Sequence, residues 1–497
     1  MSYKALLITG TSSDAGKSTI TTGIIRMLAN EKISVAPFKG QNMALNSYVT
    51  IKGEEIGRAQ ASQARAAGIE ATALMNPVLL KPTSDKGSSV LVLGKPFGEF
   101  SAAQFQRAKK DLIEVVDGAF DSLARSFDVI IAEGAGSPAE INLLQNDLVN
   151  LGFARRVGVN SILIGDIDRG GVFASLFGTV SILPSELGDL VKGFVINKFR
   201  GDVSLLTPAI KELTQRTNIE VLGVVPRISK LSIDSEDSLA LVSGFLGPAK
   251  FDALVVGILQ LPYMSNFTDF EPLAHDEQVR LVLVTQPQQI AFVDVLIIPG
   301  TKSTVSDLDY LRSNGFVSEL YAHVSKGKGL VGICGGYQML TRKIFDGVES
   351  DRSAVVGLGL IDGVTRFSPT KILRQLDCRF TQGDSKTLLK TYQIHHGRVD
   401  LDEGANALFS VQAADLLMPQ KEDEGYLSEC VVGTSCHGVF ESRLARQTIL
   451  GPLAQLVDKV YEATMDFEIL RQEYYERCAD LVTTHIGRNT IFRMLNI

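Results

Sequence analysis

The 497-residue sequence has few cysteines, no excess of basic residues and no long apolar run. Its cysteines number five, are scattered and show no metal-ligand spacing, which argues against a disulfide framework and indicates a reducing cytoplasm. The formal net charge of −7 argues against a nucleic-acid partner, because such proteins usually carry a basic face. No apolar run is long enough for a membrane span, and the first ten residues, MSYKALLITG, predict a strand entering a turn instead of a signal peptide. We therefore expect a cytoplasmic protein with no membrane partner.

What is present is the composition of a soluble globular protein, with 45% hydrophobic and 21% charged residues. Short apolar segments such as ISVAPFKG, DVIIAEG, NSILIGD and KGFVINK alternate with helical patterns, which predicts an α/β fold built on a parallel sheet. A second series of strands begins at FDALVVGILQLP, after the Gly- and Pro-containing stretch SGFLGPAK. We therefore predict two domains, residues 1–245 and residues 251–497.

The N-terminal stretch YKALLITGTSSDAGKSTITTGIIRML reads as a strand, a Gly-rich loop and an amphipathic helix, which resembles a P-loop. In such a loop, backbone N–H groups and the helix N-terminus bind phosphate, the lysine reaches the terminal phosphates and the following hydroxyl meets Mg²⁺. The glycine stands at position 10 instead of position 11, as in the variant pattern G-T-x-S-x-x-G-K-S. The residues predicted to bind the nucleotide are Thr11, Asp14, Gly16, Lys17, Ser18, Thr19 and Asn197.

Polar residues at strand ends extend this prediction, because ligands of parallel sheets bind at the carboxyl ends of the strands. Glu133 closes the strand DVIIAEG and, with Ser18, is predicted to hold Mg²⁺; the alternative is an acid at a helix N-terminus. The segment INKFRGD has Arg200 where a guanine-reading aspartate would stand, which favours ATP over GTP.

The stretch VGICGGYQML places Cys334 between glycines at the end of an apolar strand. One interpretation is that Cys334 is a small buried hydrophobe, and the other is that it is a nucleophile exposed at a strand-to-helix turn. A thiol nucleophile needs a base, and His437 in VVGTSCHGVFES is the best candidate, with His395 and His396 as rivals. Gly300, in IIPGTKST, and Gly335 are predicted to supply the N–H groups of an oxyanion hole.

These features together resemble known families. The pattern G-x-C-G-G-x-Q, the upstream Pro-Gly loop and the downstream histidine are similar to those of a class I glutamine amidotransferase α/β domain. A P-loop domain of the dethiobiotin synthetase type joined to such a glutaminase resembles the cobyrinate amidase family. The motifs that carry this resemblance are FKGQNMALNSY, EGAGSPAEINL, DIDRGGVFAS, INKFRGD, SNFTDFEPL and PGTKST, and they span nearly the whole chain.

The resemblance implies a ligase that uses ATP and Mg²⁺, with glutamine as the ammonia donor and a corrinoid as its other small-molecule substrate. It implies amidation of the b, d, e and g carboxylates of adenosylcobyrinic acid a,c-diamide in cobalamin biosynthesis. The substrate contacts that we predict are Lys39, Gln41, Asn42 and Asp147. For Asp147 the alternative is an ion pair with Arg155 that stabilises a helix.

One departure concerns the acid that usually follows the histidine by two residues, since position 439 is valine. Only Glu441 is close in sequence, so either a Cys–His dyad or a displaced acid is implied. The alternatives are CTP synthase, the a,c-diamide synthase and a catalytically inactive regulator that binds nucleotide and corrinoid. The sequence leaves the oligomeric state open.

Overall fold

Strands and helices alternate along most of the chain in the computed structural model, which describes residues 3–84, 87–227, 252–383, 386–414 and 421–497. The strands are β1 (Ala5–Gly10), β2 (Val35–Phe38), β3 (Gln41–Met43), β4 (Ser47–Val49), β5 (Glu55–Gly57), β6 (Val78–Ser84), β7 (Gly87–Val92), β8 (Lys95–Ser101), β9 (Val129–Glu133), β10 (Asn160–Asp166), β11 (Val191–Phe199), β12 (Glu220–Pro226), β13 (Leu254–Leu259), β14 (Val279–Val284), β15 (Val295–Ile298), β16 (Gly329–Ile333), β17 (Thr341–Phe345), β18 (Ala354–Val356), β19 (Ile361–Phe380), β20 (Leu389–Leu401), β21 (Phe409–Ala413), β22 (Glu422–Glu424), β23 (Tyr426–Leu427), β24 (Val431–Thr434) and β25 (Cys436–His437).

The α-helices are α1 (Lys17–Asn30), α2 (Arg58–Ala66), α3 (Ala102–Ser126), α4 (Leu151–Val157), α5 (Val172–Ile182), α6 (Ser185–Gly188), α7 (Thr207–Thr217), α8 (Glu271–Ala274), α9 (Thr304–Ser313), α10 (Phe316–Ser325), α11 (Gly335–Leu340), α12 (Arg443–Gln455), α13 (Phe467–His485) and α14 (Arg488–Leu495). Short 3-10 helices span Ala73–Met75, Ile141–Leu143, Val203–Leu206, Phe267–Phe270, Pro287–Phe292 and Val439–Glu441. Within the described ranges, no helix is both long enough and apolar enough to cross a membrane.

The chain divides into two units whose residue ranges differ from those of the two predicted domains. Unit 1 comprises Met1–Ala44, Glu54–Ser232 and Arg471–Ile497, and unit 2 comprises Leu45–Gly53 and Ile233–Leu470. The segment 45–53 therefore belongs to the C-terminal unit, and the last 27 residues, 471–497, belong to the N-terminal one. The predicted junction SGFLGPAK lies outside the described residues.

Unit 1 is built on a parallel sheet in the order β12-β11-β10-β1-β9-β2, which confirms the predicted α/β class. Its central strand β1 is completely buried, because both faces of a parallel sheet are covered by crossover helices. The register pairs Ile8 with Glu133 and Gly10 with Ile164, so the ends of these three strands lie at one edge. Unit 1 also contains a four-stranded sheet in the order β3-β6-β7-β8.

The C-terminal helices complete unit 1 by close packing on α1. A side chain at Gly23 would clash with the backbone, since its Cβ would lie 2.3 Å from the carbonyl oxygen of Cys478. The hydroxyl groups of Ser62 and Tyr475 lie 2.9 Å apart, and Arg26 pairs with Glu476 at 2.7 Å. Through these contacts the end of the chain packs within unit 1 and not within unit 2.

Unit 2 contains a second sheet of six strands, β14-β13-β15-β16-β24-β23, in which only β23 runs antiparallel. Ile298 of β15 pairs with Gly332 of β16, and Ile333 pairs with Thr434 of β24. The residues that follow these strands, Pro299, Cys334 and Ser435, therefore meet at one edge. A mixed sheet, β18-β17-β19-β20-β25, lies in the same unit and carries His437 on its last strand.

Candidate active sites

The loop between β1 and α1 has the conformation that its glycines predict. Asp14 and Gly16 both have positive φ angles, 57° and 98°. Glycine is required at position 16 because a Cβ there would lie 2.0 Å from Nδ2 of Asn197. That amide donates a hydrogen bond of 2.9 Å to the carbonyl oxygen of Ala15, so Asn197 contacts the loop as predicted.

Lys17 begins helix α1 and points its ammonium group back across the loop. Its Nζ donates hydrogen bonds to the carbonyl oxygens of Ser12 and Gly136, at 2.9 and 3.0 Å. The hydroxyl of the next residue, Ser18, donates to the carboxylate of Glu133 at 3.0 Å. The structure thus brings together the lysine, hydroxyl and carboxylate that the sequence singled out.

Glu133 is almost completely buried and remains surrounded by donors. Lys39 lies 3.1 Å from one carboxylate oxygen, and Gln63 donates to the other at 2.6 Å. Burial opposes ionisation of this carboxyl group, but the charges of Lys39 and Lys17 and the Gln63 hydrogen bond outweigh it and lower the pKa of Glu133. Glu133 is therefore ionised, and Lys39 is its buried partner; the contact of Lys39 with a substrate remains a prediction.

The remaining predicted nucleotide residues occupy different surroundings. The backbone N–H of Thr11 donates to a carbonyl oxygen of β10 at 2.9 Å, and the carboxylate of Asp14 lies 3.3 Å from Arg169. The hydroxyl of Thr19 hydrogen-bonds to Tyr474 of α13. Their contacts with a nucleotide remain predictions.

Two predicted substrate residues, Gln41 and Asn42, lie on the short strand β3. The Nδ2 of Asn42 donates to Gln60 of α2 at 3.1 Å. The Oε1 of Gln41 is buried with no hydrogen-bond partner among the described residues, and the same is true of Nε2 of Gln60. Unpaired buried polar groups are rare in proteins, so these atoms mark a place where a polar ligand is expected.

Asp147 stabilises the start of a helix, as in the alternative interpretation, but with other partners. Its two carboxylate oxygens accept three backbone hydrogen bonds, from Val149, Asn150 and Gly152, at 2.9 to 3.0 Å. These contacts satisfy free N–H groups at the start of α4. The alternative partner, Arg155, instead pairs with Glu186, so Asp147 stabilises a helix without the predicted ion pair.

Cys334 stands at a sharp bend between β16 and α11. Its φ of 50° is unusual for a residue other than glycine, and the neighbouring glycines permit close contacts. A Cβ at Gly336 would lie 2.0 Å from the carbonyl oxygen of Ile298. A non-glycine residue held in a disfavoured conformation at the carboxyl edge of a sheet fits the nucleophile interpretation better than simple core packing.

His437 is held between Cys334 and a carboxylate that the sequence did not identify. The Nδ1 of His437 lies 2.6 Å from Oδ2 of Asp269, and the other carboxylate oxygen accepts the N–H of Gly438 at 2.9 Å. His437 also hydrogen-bonds to Cys334. The arrangement is a Cys–His–Asp triad, in which the acid orients the imidazole and the imidazole activates the thiol.

The charges in this triad favour a protonated imidazole. Burial alone disfavours the charged ring, but the charge of Asp269, the interaction with Cys334 and the hydrogen bonds to both outweigh it and raise the pKa of His437 to about 10. His437 therefore carries a positive charge beside Cys334.

Glu441, the acid nearest in sequence, does not occupy the position beside Nδ1 of His437, because Asp269 does. The two residues of the pair are 168 positions apart, so no local spacing reveals them. The only available signal was the motif SNFTDFEPL, which carries Asp269 but gives no reason to connect it with a distant histidine.

The other predicted residues near the thiol can also be placed. A Cβ at Gly300 would lie 3.1 Å from Cε1 of His437 and 3.7 Å from Cβ of Cys334, so Gly300 lies beside both. The N–H of Gly336 already donates to the carbonyl oxygen of Pro299. Gly335 packs against the same Pro-Gly loop, where its Cβ would meet Thr301. The oxyanion hole formed by Gly300 and Gly335 remains a prediction.

The rival histidines are held by backbone carbonyls. The Nδ1 of His395 lies 2.7 Å from the carbonyl oxygen of Gly397, and that of His396 lies 3.0 Å from the carbonyl oxygen of Ser368. Burial, together with the charge of His437, lowers the pKa of His395 to about 3 although the Gly397 contact opposes this. His437 is therefore the histidine that the structure pairs with both the thiol and an acid.

Comparisons with known proteins agree with this arrangement. Residues 6–241 match a family model described as the CobQ/CobB/MinD/ParA nucleotide binding domain, and residues 255–445 match the CobB/CobQ-like glutamine amidotransferase domain. The chain is 42% identical to the cobyric acid synthase of Carboxydothermus hydrogenoformans, over 99% of this chain and 100% of that protein. It is 43% identical to that of Rhodococcus jostii, over 99% of this chain and 95% of the relative, and 40% identical to that of Syntrophobacter fumaroxidans, over 99% of both. The chain therefore belongs to the cobyric acid synthase family.

Proposed function

We propose that this chain is an ATP-dependent, glutamine-hydrolysing amidoligase that amidates the b, d, e and g carboxylates of adenosylcobyrinic acid a,c-diamide in cobalamin biosynthesis. The observation that carries this proposal is the presence, in one chain of this family, of a Cys334–His437–Asp269 triad in unit 2 and a P-loop with Lys17, Ser18 and Glu133 in unit 1. The first can release ammonia, and the second can activate a carboxylate.

In the glutaminase reaction, Cys334 attacks the side-chain amide carbon of glutamine as a thiolate. The imidazolium of His437 donates its proton to the leaving nitrogen, so that ammonia departs and a glutamyl thioester remains. His437 then accepts a proton from the water that attacks the thioester, so glutamate is released and the Cys334 thiolate and His437 imidazolium are regenerated. Asp269 keeps the ring oriented through both steps, and the N–H groups of Gly300 and Gly335 are proposed to stabilise the oxyanion.

In the synthetase reaction, the corrinoid carboxylate would take the γ-phosphoryl group of ATP and release ADP, and ammonia would then displace phosphate from the acyl phosphate to form the amide. Mg²⁺, when bound, would offset the negative charge of the phosphates. Lys17 is proposed to neutralise charge on the terminal phosphates. The Ser18 hydroxyl and the ionised Glu133 are oxygen ligands of the type that Mg²⁺ prefers, and their 3.0 Å separation fits a shared ion. Magnesium is usually bound through one or two protein oxygens together with phosphates and water, so no larger acidic cluster is needed.

Recognition of the corrinoid is assigned to Gln41 and Asn42 of β3, since the unpaired oxygen of Gln41 is available to a ligand. Lys39 is already engaged by Glu133 and is proposed to act on the nucleotide side of the same site. The carboxylate of Asp147 already accepts three backbone N–H groups at the start of α4, and its contact with the corrinoid stays a prediction.

The decisive experiment compares wild type and Cys334→Ala with either glutamine or ammonium chloride as nitrogen donor. We expect Cys334→Ala to lose glutamine-dependent amidation and to keep ammonia-dependent amidation, because the synthetase site does not use the thiol. Loss of both activities in a folded variant would contradict the two-site mechanism. Retention of the glutamine-dependent activity would mean that another thiol is the nucleophile, and Cys436→Ala is the matched control.

A further inference from the structure

A nine-residue segment, Leu45–Gly53, links the two units in an unexpected way. We call it the arm. The chain before it, up to Ala44, and the chain after it, from Glu54, belong to unit 1, whereas the arm itself belongs to unit 2. The arm is therefore a piece of the N-terminal half that is built into the glutaminase.

Two asparagines join the arm to the turn that carries the triad acid. The backbone N–H of Ser47 donates to Oδ1 of Asn266 at 3.1 Å, and the N–H of Phe267 donates to Oδ1 of Asn46 at 3.1 Å. Asn266 has a positive φ of 51° and immediately precedes the 3-10 helix Phe267–Phe270, which contains Asp269. The reciprocal pair thus fixes the start of the short helix that presents Asp269 to His437.

The arm also supports the histidine itself, through Tyr392. The ring of Tyr392 stacks on the imidazole of His437, with centroids 5.3 Å apart and an interplanar angle of 23°. The hydroxyl of Tyr392 donates to the carbonyl oxygen of Ser47 at 3.3 Å, and Val49 of the arm packs against the same ring and Ile394. Both partners of the Asp269–His437 pair are therefore positioned by groups that touch the arm.

Both ends of the arm are fixed in the part of unit 1 that is proposed to bind the corrinoid. Asn42, three residues before the arm, is hydrogen-bonded to Gln60. Glu55, two residues after it, forms a buried ion pair of 2.6 Å with Lys81. Gln41 and Asn42 precede Asn46 by only five and four residues. A displacement of either residue is therefore transmitted along a short stretch of backbone to the Asn46–Asn266 pair.

We propose that the arm is a positioning element. Through it, the alignment of the glutaminase triad depends on whether the corrinoid is bound at Gln41 and Asn42 of β3. Glutamine is then hydrolysed at full rate only when the corrinoid acceptor is bound, and ammonia is not released without use. This inference rests on the proposed function, because it takes Gln41 and Asn42 to contact the corrinoid.

The test measures glutamate release with and without ATP and adenosylcobyrinic acid a,c-diamide, and separately measures ammonia-dependent amidation. In wild type we expect the acceptor and ATP to raise glutamate release. Asn46→Ala removes the acceptor for the Phe267 N–H, and we expect the stimulation ratio to fall about tenfold, the effect of one lost buried hydrogen bond. Ammonia-dependent amidation is expected to stay within about twofold of wild type, because the arm is not part of the synthetase site.

Three further variants make the result interpretable. Lys52→Ala changes an exposed residue of the same arm and is the matched control, which should keep the wild-type ratio. Asn46→Asp retains an acceptor oxygen and should restore part of the ratio. Tyr392→Phe removes only the hydroxyl that donates to the carbonyl oxygen of Ser47, and it should also lower the stimulation ratio. This variant provides the test if Asn46→Ala does not fold.

The outcomes separate this inference from the proposed function. If wild type makes no amide from either nitrogen source, the proposed function itself is wrong. If wild type is active but shows no stimulation, or if Asn46→Ala lowers basal and stimulated rates equally with the ratio unchanged, the arm is only structural and the inference is overturned.

Discussion

The triad acid offers the sharpest test of the structure, because the sequence left open whether His437 works in a Cys–His dyad or with a displaced acid such as Glu441. Asp269→Asn preserves the size of the side chain and can still accept the N–H of Gly438 through its remaining oxygen. It replaces the carboxylate, one oxygen of which lies 2.6 Å from Nδ1 of His437, with a carboxamide. The amide carries no charge, and if its NH₂ group faces Nδ1 it favours the wrong tautomer of the ring.

The size of the effect follows from the pKa of His437. A rise from the ordinary value of 6.5 to about 10 corresponds to a preference of about 5 kcal/mol for the protonated ring, at about 1.4 kcal/mol per factor of ten. Asp269 and Cys334 both contribute to this preference. If Asp269 supplies about half, its loss costs about 2 to 3 kcal/mol, which is on the order of a hundredfold in rate, and the wrong tautomer adds to this.

The assay is glutamate release under saturating ATP and corrinoid, with ammonia-dependent amidation as the internal control. We expect Asp269→Asn to lower glutamate release by a factor of about 10² to 10⁴ and to leave ammonia-dependent amidation unchanged. Glu441→Gln is the matched control, because it makes the same acid-to-amide change four residues after His437 and should keep activity within about twofold.

Two results would refute this reasoning. An Asp269→Asn variant with wild-type glutaminase activity would show that the short contact with His437 has no catalytic role. A severe loss in Glu441→Gln, equal to that in Asp269→Asn, would return the third catalytic position to the residue that sequence proximity suggested.

Three more predictions follow from the same contacts. Lys17→Ala should abolish amidation from both glutamine and ammonia but leave basal glutamate release, and full amidation by this variant would rule out the P-loop as the ATP site. The alkaline limb of the glutaminase pH–rate profile should lie near pH 10, because the imidazolium of His437 is lost as the pH rises through its raised pKa; in Asp269→Asn the limb should move to lower pH. Asp147→Ala should lower the free energy of unfolding by about 1 to 3 kcal/mol, since three backbone N–H groups lose their acceptor. Urea titration measures this loss of stability, and the KM for the corrinoid shows separately whether a substrate contact is lost.

The sequence by itself determined those parts of the protein that depend on local pattern. The strand before the Gly-rich loop and the helix that begins at Lys17 are both present where the local pattern predicted them. The bend at Cys334 was also predictable, because only glycines tolerate the 2.0 Å approach found at Gly336. The parallel sheets followed from short apolar strands that alternate with helices.

Tertiary structure decided everything that joins residues far apart in the chain. The pairing of Asp269 with His437 spans 168 residues, and no periodicity or spacing encodes a contact between a short 3-10 helix and a strand so far apart in the chain. The same holds for the arm and for residues 471–497, which pack with the unit opposite to the one that their position predicts. The partners of buried charges were decided in the same way: a charged group taken from water must find partners inside the protein, and the buried Lys39 and Asp147 have theirs in Glu133 and in the backbone N–H groups at the start of α4.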